Sequence, residues 1–473
     1  SNIDNMTGTI QLQDIKYKDK DLQKACLPTQ SPSNGRQGNS FYDIGNIYIV
    51  AFDTGIGRSI TLNSEFATGE IFGAFTLSEI ENSIKSIASQ ILPSADFLTV
   101  NSSKDEMQGN LQDFVFNIKV INGQKLLPLL TSVISFADGT QIMGEFHSKT
   151  NRLHLQVNSN SILFADKTFE KVSWNSELLP RDNTGAEYLE FNSWILCEKL
   201  YISDSIWIER FNLQVKAEND KIFLSAKWDN ERDTVHRVSP SYKGTLSCNI
   251  LFNKNELSAF HPEIDTARKW NNSVIFRLLP SQIIIADTLW EIQDNNKVEL
   301  AYGFLNVENL NLVSGPQSLS VNGSNSKNSD DGIIVTLSNI DASYFSRLWR
   351  DQITGIDFKG NANGHVQMHS LFTVPFISGK MQIEDLEINN TPLGKAEISS
   401  NWKKESKKID LSGSLLTGSL TSLKIDGSYF LDTNSLNSFL FDIDVKNFKL
   451  KVFEPFIYPV LTDHMPTYLL LKI

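Results

Sequence analysis

The chain of 473 residues carries 43 Lys and Arg against 55 Asp and Glu, a formal net charge of −12, with 21% charged and 40% hydrophobic residues. That composition belongs to a folded chain rather than a disordered one, and the acidic surplus excludes a footprint for phosphate backbones, so nucleic acid is not an expected partner. A chain of this length ordinarily divides into roughly two to four compact domains because single cores stop growing near ~250 to 300 residues, a limit that a repeat array escapes.

Near the start, Ile10 and Leu12 alternate up to Asp14, after which Ile15 and Tyr17 continue on a phase shifted by one residue. Gly55-Ile56-Gly57-Arg58 lacks the third glycine of a dinucleotide site and reads as a hairpin turn. From Ser78 to Ile91, Ile80, Ile84, Ile87 and Ile91 recur on one helical face behind a Ser78, Glu81 capping-box spacing, so one short amphipathic helix is expected. Phe114, Phe116, Ile118 and Val120 then alternate with Val115, Asn117 and Lys119 as a strand. Leu153, Leu155 and Val157, and the run from Ile206 to Val215, follow the same pattern. Turns are expected at Asn122-Gly123, Asp138-Gly139 and Asp331-Gly332.

Further along, Val274 to Leu279 and Ile283 to Ile285 are apolar on both strand faces, as if something covered both sides. The phase-shift pattern of Asp14 returns at Leu305, Val307, Asn309, Leu310, Leu312, then at Val335, Leu337, Asn339, Ile340, Ala342. Two more copies are Met381, Ile383, Asp385, Leu386, Ile388 and Ile443, Val445, Asn447, Phe448, Leu450, while Ile206 to Leu213 has Arg210 at the polar place. A one-residue phase change flips every later side chain unless a corner absorbs it, and Asp or Asn tolerates the left-handed geometry of such a corner. These positions are therefore read as strand corners. Asn322 to Asp331 reads as a loop tip, and Phe439, Phe441, Ile443 and Val445 form a late alternating strand. Apolar segments at 126–130, 257–260, 344–349 and 452–460 are expected to be helical turns that plug an open edge. The whole predicts an all-β, elongated repeat array with a few short amphipathic helices: either an open groove or a closed β-solenoid-like core.

Catalytic chemistry is hard to find. No GxSxG, HExxH or GxxxxGK[ST] occurs, and the paired acids Glu384-Asp385 and Asp330-Asp331 sit where solvation is easy. His365 and His369 share a strand face without a carboxylate or Cys beside them, which reads as two surface histidines rather than a metal site. Cys26, Cys197 and Cys248 lie far apart without CxxC spacing and read as inert strand residues. No enzyme activity, cofactor or metal is expected. No run approaches the ~18 apolar residues of a membrane span, and the opening at Ser1 without a start Met places any signal or anchor upstream.

Three stretches carry a family resemblance. Leu279-Pro280-Ser281-Gln282-Ile283 to Leu289-Trp290-Glu291-Ile292, followed by Val307 to Leu312 and by Gly315-Pro316-Gln317-Ser318-Leu319 to Gly323, resembles the middle of TamB-like proteins of Bacteroidota. Val374-Pro375-Phe376-Ile377-Ser378-Gly379 with Asn390-Thr391-Pro392-Leu393-Gly394 looks like the P-x-x-x-G … P-L-G repeat of that family and of AsmA-like proteins generally, and Phe441 to Phe456 is similar too. The likeness runs over residues 1–463 as one continuous β-repeat segment, while 464–473 form an atypical tail. It implies a mid-chain fragment of a taco-shaped periplasmic protein, with an inner-membrane anchor and a conserved C-terminal domain lying outside this chain. It also implies that membrane contact runs through those missing termini, that a BamA-like outer-membrane barrel is a partner, and that the cargo is phospholipid or unfolded outer-membrane protein.

On this reading Phe114, Phe116, Ile118, Val120, Ile283, Ile285, Phe439, Phe441, Ile443 and Val445 are the candidate groove lining, though each serves equally as core. Buried acyl chains gain roughly 0.8 kcal/mol per CH₂, so a continuous apolar trough moves lipid without a catalytic residue. Two rival readings stand beside it. A closed scaffold or adhesin-like solenoid binds no lipid. A carbohydrate-active solenoid needs acids in constant register with Trp174, Trp194, Trp207 and Trp228, a register this chain does not provide.

Overall fold

The computed structural model describes residues 4, 6–17, 42–95, 112–126, 134–181, 188–202, 207–230, 243–254, 272–285, 288–326, 331–348, 357–372, 376–403, 408–430 and 439–446. The protein is all-β, and its packing separates Ser1–Asn253 from Lys254–Ile473.

The first unit holds β1 (Gly8–Tyr17), β2 (Tyr42–Asp53), β3 (Arg58–Ser64), β4 (Ala67–Ala74), β5 (Asp113–Val120), β6 (Ile134–Phe136), β7 (Gln141–His147), β8 (Arg152–Phe164), β9 (Lys167–Arg181), β10 (Tyr188–Tyr201), β11 (Trp207–Glu218), β12 (Lys221–Asp229) and β13 (Lys243–Lys254). Consecutive strands pair antiparallel, except that β5 joins β7 and β6 pairs with the far end of β8. Helix α1 (Leu77–Ile91) follows β4, and the single turn α2 (Gly123–Leu126) follows β5.

The second unit holds β14 (Asn272–Leu278), β15 (Ser281–Ile285), β16 (Thr288–Ile292), β17 (Lys297–Ala301), β18 (Phe304–Ser314), β19 (Gln317–Ser326), β20 (Gly332–Asp341), β21 (Phe358–His369), β22 (Phe376–Ile388), β23 (Thr391–Lys403), β24 (Lys408–Thr417), β25 (Leu420–Phe430) and β26 (Phe439–Val445), with α3 (Ser343–Leu348) after β20. From β18 to β26 each strand pairs antiparallel with the next.

The corners fall where the phase shifts place them. Asp14, Arg210, Asn309, Asn339 and Asp385 all have φ between 48° and 54°. The ladder slips beside four of them, between Leu12 and Ile15, Val307 and Leu310, Leu337 and Ile340, and Ile383 and Leu386. At Arg210 the β10–β11 ladder stays in step, and two strands away, on the far side of β10, Lys171 of β9 is left-handed at the same level, at φ 49°. The Asn447 corner lies outside the described residues.

Each corner must satisfy an amide that turns out of the ladder. The main-chain N–H of Asp14 donates to Asn46 Oδ1 at 3.2 Å, that of Asn309 to Asn322 Oδ1 at 2.7 Å, and that of Asn339 to Asn363 Oδ1 at 2.8 Å. All three acceptors sit next to a glycine, Gly45, Gly323 or Gly364. At these three corners the turn is thus a two-strand device, with Asp or Asn on one strand and an Asn-Gly or Gly-Asn pair on the other.

Three local expectations change. Asn122-Gly123 is a helix start rather than a hairpin turn, because the Asn122 side chain accepts the Lys125 N–H at 3.0 Å and so caps α2. Residues 322–326 continue β19 instead of forming a loop tip, since Asn322 and Gly323 are paired with Ile334 and Ile333. Ser78 does not open a capping box: it lies inside α1 and its hydroxyl donates to Asp4, while Glu81 pairs with Lys85 one turn on. The hairpin turn at 55–57 is present, closed by the Thr54 N–H to the Gly57 carbonyl at 2.9 Å.

Candidate functional site

Antiparallel register places directly opposed residues on one face of the sheet, so the two faces can be read row by row. In the second unit one row crosses β19 to β26 as Ser320, Thr336, His365, Lys380, Ser399, Ser412, Asp426 and Asp442, entirely polar. The adjacent row on the opposite face reads Leu319, Leu337, Gly364, Met381, Ile398, Gly413, Ile425 and Ile443. In the first unit, Glu145, His154, Glu177, Asn192 and Lys216 share one face across β7 to β11. The other face there carries Ile118, Ile142, Val157, Trp174, Ile195 and Leu213. Each unit therefore has a wet face and an apolar one, joined at the corners.

The apolar faces are filled only in part. At the bend of the first unit, Val157, Val172, Cys197, Leu200 and Phe211 form a buried cluster, with Phe169 meeting Phe211 edge-on at 6.3 Å. Away from the bend, α1 lays Ile87 and Ile91 on Phe114, Phe146, Leu178 and Ala217. Between the two clusters, Phe116, Leu155, Val215 and Leu224 are half-buried. Beside them Trp174 Nε1 donates to the buried hydroxyls of Ser176 and Ser193 at 2.8 and 2.9 Å. In the second unit Tyr344 of α3 packs 5.9 Å from Trp290, within a cluster that includes Ile340, Ile383, Leu386 and Leu415.

The ten candidate lining residues divide between these environments. Phe114 and Val120 are core, and Phe116 and Ile118 are half-buried on the same face. Ile283 and Ile285 are half-buried against the Trp290 cluster. Phe441, Ile443 and Val445 on β26 are 41%, 40% and 37% exposed, while Phe439 is paired with Tyr429 and its side chain lies outside the described set. Two residues of the open face that alternation did not single out are Ile377 and Ile398, 50% and 46% exposed. Gly379, two residues along β22 from Ile377, and Gly413, directly opposite Ile398, supplied the missed signal: a glycine beside or opposite a large apolar residue leaves it uncovered from the side.

Two aromatic–glycine pairs mark the apolar faces. Phe116 lies directly opposite Gly144, and Phe441 directly opposite Gly427, each ring lying over the space a Cβ would occupy. An open hollow of about 550 Å³ in the first unit is lined by Glu70, Val115, Met143, Glu145, His154 and Gln156 of the other face together with Phe116 and Gly144.

His365 and His369 do not converge. His365 stands between Thr336 and Lys380, while His369 stacks on Phe376 at 4.7 Å and shares a 3.1 Å hydrogen bond with Ser378 Oγ. Among the described residues no group of three or more His, Cys, Asp and Glu is placed to hold a metal ion, and no helix is long and apolar enough to cross a membrane. Cys197 and Cys248 are buried thiols outside any disulfide, and Cys26 lies outside the described residues. Burial pushes the Cys197 thiol up to about 12, which removes its reactive thiolate near neutrality. Iodoacetamide at pH 8 should therefore leave Cys197 unmodified in native protein and alkylate it in urea, as read by peptide mapping. Alkylation at the same rate in both states would place Cys197 outside the core.

No family model matches the chain, and no curated protein or solved structure matches it.

Proposed function

We propose that the chain is a non-enzymatic, TamB-like or AsmA-like segment of the bacterial periplasm whose apolar sheet faces shield phospholipid acyl chains or unfolded outer-membrane strands. In that setting the full-length protein is anchored in the inner membrane and works with a BamA-like outer-membrane barrel. The observation that carries the reading is the open apolar face of the second unit, where Ile377, Ile398, Phe441 and Ile443 stand 40–50% exposed on one side of a sheet whose other side is mainly polar, with Ile334 and Leu440 as its exposed apolar exceptions. Apolar side chains clustered on one face mark a binding surface, and each buried methylene of a guest gains roughly 0.8 kcal/mol there. A closed scaffold is the rival, and the full burial of Phe114, Val120 and Phe146 favours it locally.

Native mass spectrometry with lipid extraction, on the chain expressed in an envelope-bearing bacterium, tests the reading against an Ile398→Asp, Phe441→Asp double variant. Both positions are more than a third exposed, so the variant should stay folded by circular dichroism. Phospholipid on the wild type and its loss from the variant is the expected result. Co-purifying outer-membrane strands in place of lipid assign the cargo to protein. A folded wild type that carries neither, or a variant that unfolds, moves the assignment to a closed scaffold.

A further inference from the structure

Access to the apolar face of the first unit runs past α1. The helix begins just after β4, and its last carbonyl, that of Ile91, accepts the main-chain N–H of Asp220 at 2.9 Å in the turn between β11 and β12. It therefore lies across the intervening strands, at the edge of the face farthest from the bend. Its apolar stripe is only partly used: Ile87 and Ile91 are buried, Ile80 is half-buried and Ile84 is exposed. The C-terminal end is fastened by one carboxylate. Asp220 Oδ1 accepts the Ser94 N–H at 2.7 Å and Oδ2 the Ser94 hydroxyl at 2.9 Å. At the other end Asp4 accepts both the N–H and the hydroxyl of Ser78.

We propose that α1 is a latched strap over the lip of the first unit's apolar face, released at Asp220 to admit an extended acyl chain; this rests on the shielding role proposed above. The chemistry under the strap selects the guest. The stripe that a guest must replace is aliphatic, and α1 spans about 22 Å, the reach of a long extended acyl chain. Among the described residues every strand from β4 to β12 except the three-residue β6 is paired on both sides, so β6 alone leaves a backbone edge there, too short for a peptide to join as an added strand. A guest without hydrogen-bonding needs fits that surface, and an unfolded strand does not.

The latch can be cut without harming the turn. Asn219 and Asp220 have φ of 47° and 60°, the geometry in which glycine is favoured, so Asp220→Gly removes the carboxylate and keeps the hairpin. Hydrogen–deuterium exchange at 77–91 and stopped-flow uptake of parinaric acid, a fluorescent fatty acid, are compared on the full chain. Losing two charge-assisted hydrogen bonds should speed both exchange and uptake by about tenfold. Faster exchange with unchanged uptake makes α1 a fixed wall and overturns the strap while the shielding role stands. Unchanged exchange also overturns it, since the latch would lie elsewhere. If neither folded protein takes up the probe and Ile398→Asp, Phe441→Asp protein carries no less lipid than wild type, the shielding role falls and the strap falls with it.

Discussion

Phe146→Ala should destabilise the first unit by about 3–5 kcal/mol, the usual cost of truncating a buried phenylalanine. Phe146 is 2% exposed, stands between Phe114 and Leu153 in the ladder, and packs its ring 5.6 Å from that of Phe114. Phe114 in turn meets Phe75 at 5.8 Å and Phe116 at 6.2 Å, so the void would open in the centre of an aromatic group. Strands paired on both sides cannot move inward to refill it without breaking their ladders, which keeps the cavity large. Phe441→Ala, at a position 41% exposed, should cost under about 1.5 kcal/mol by comparison. Urea unfolding of both variants, followed by hydrogen exchange of β5, β7 and β8, measures the difference. Equal losses would mean that the two phenylalanines share one kind of environment.

The second large effect is expected at a corner. Gly323→Val should cost about 3 kcal/mol or more, from positive-φ strain combined with backbone overlap. Gly323 has φ +121°, and a Cβ there would press on the carbonyl oxygen of Gly332 in the next strand, an atom with no freedom to swing away. It also neighbours Asn322, whose side chain holds the Asn309 corner, so the damage spreads to β18. Gly55→Val is the control: Gly55 also has positive φ, but nothing lies near its Cβ position, and only the local strain remains. Thermal unfolding separates the two, and a Gly55 variant as damaged as the Gly323 variant would remove the overlap from the explanation.

The corners were legible in the sequence because a phase shift leaves a permanent mark: two apolar periods out of step with an Asp or Asn between them, as at Asn339 and Asp385. Helix α1 was legible for the same kind of reason, since four isoleucines at helical spacing suit no strand. Its caps were not, because Asp4 and Asp220 reach it from 74 and 126 residues away and no local spacing encodes that. The second half of the corner device was written in plain view as Gly45-Asn46, Asn322-Gly323 and Asn363-Gly364, yet such dipeptides also signal turns, and only pairing reveals which use applies. Lining and core stayed merged. Phe114 and Phe441 sit in near-identical alternating runs, and alternation reports which residues share a face without reporting what lies above it.

The antiparallel ladder also governs how a chain of this kind changes length over generations. A single residue inserted within a strand transposes every later side chain between the wet and apolar faces, so it survives only where a left-handed corner residue, most often Asp or Asn, is gained with it. An added lone strand reverses the direction of everything downstream. The smallest neutral increment is a complete hairpin carrying one corner and its matching Asn-Gly, so such genes should lengthen and shorten in pairs of strands.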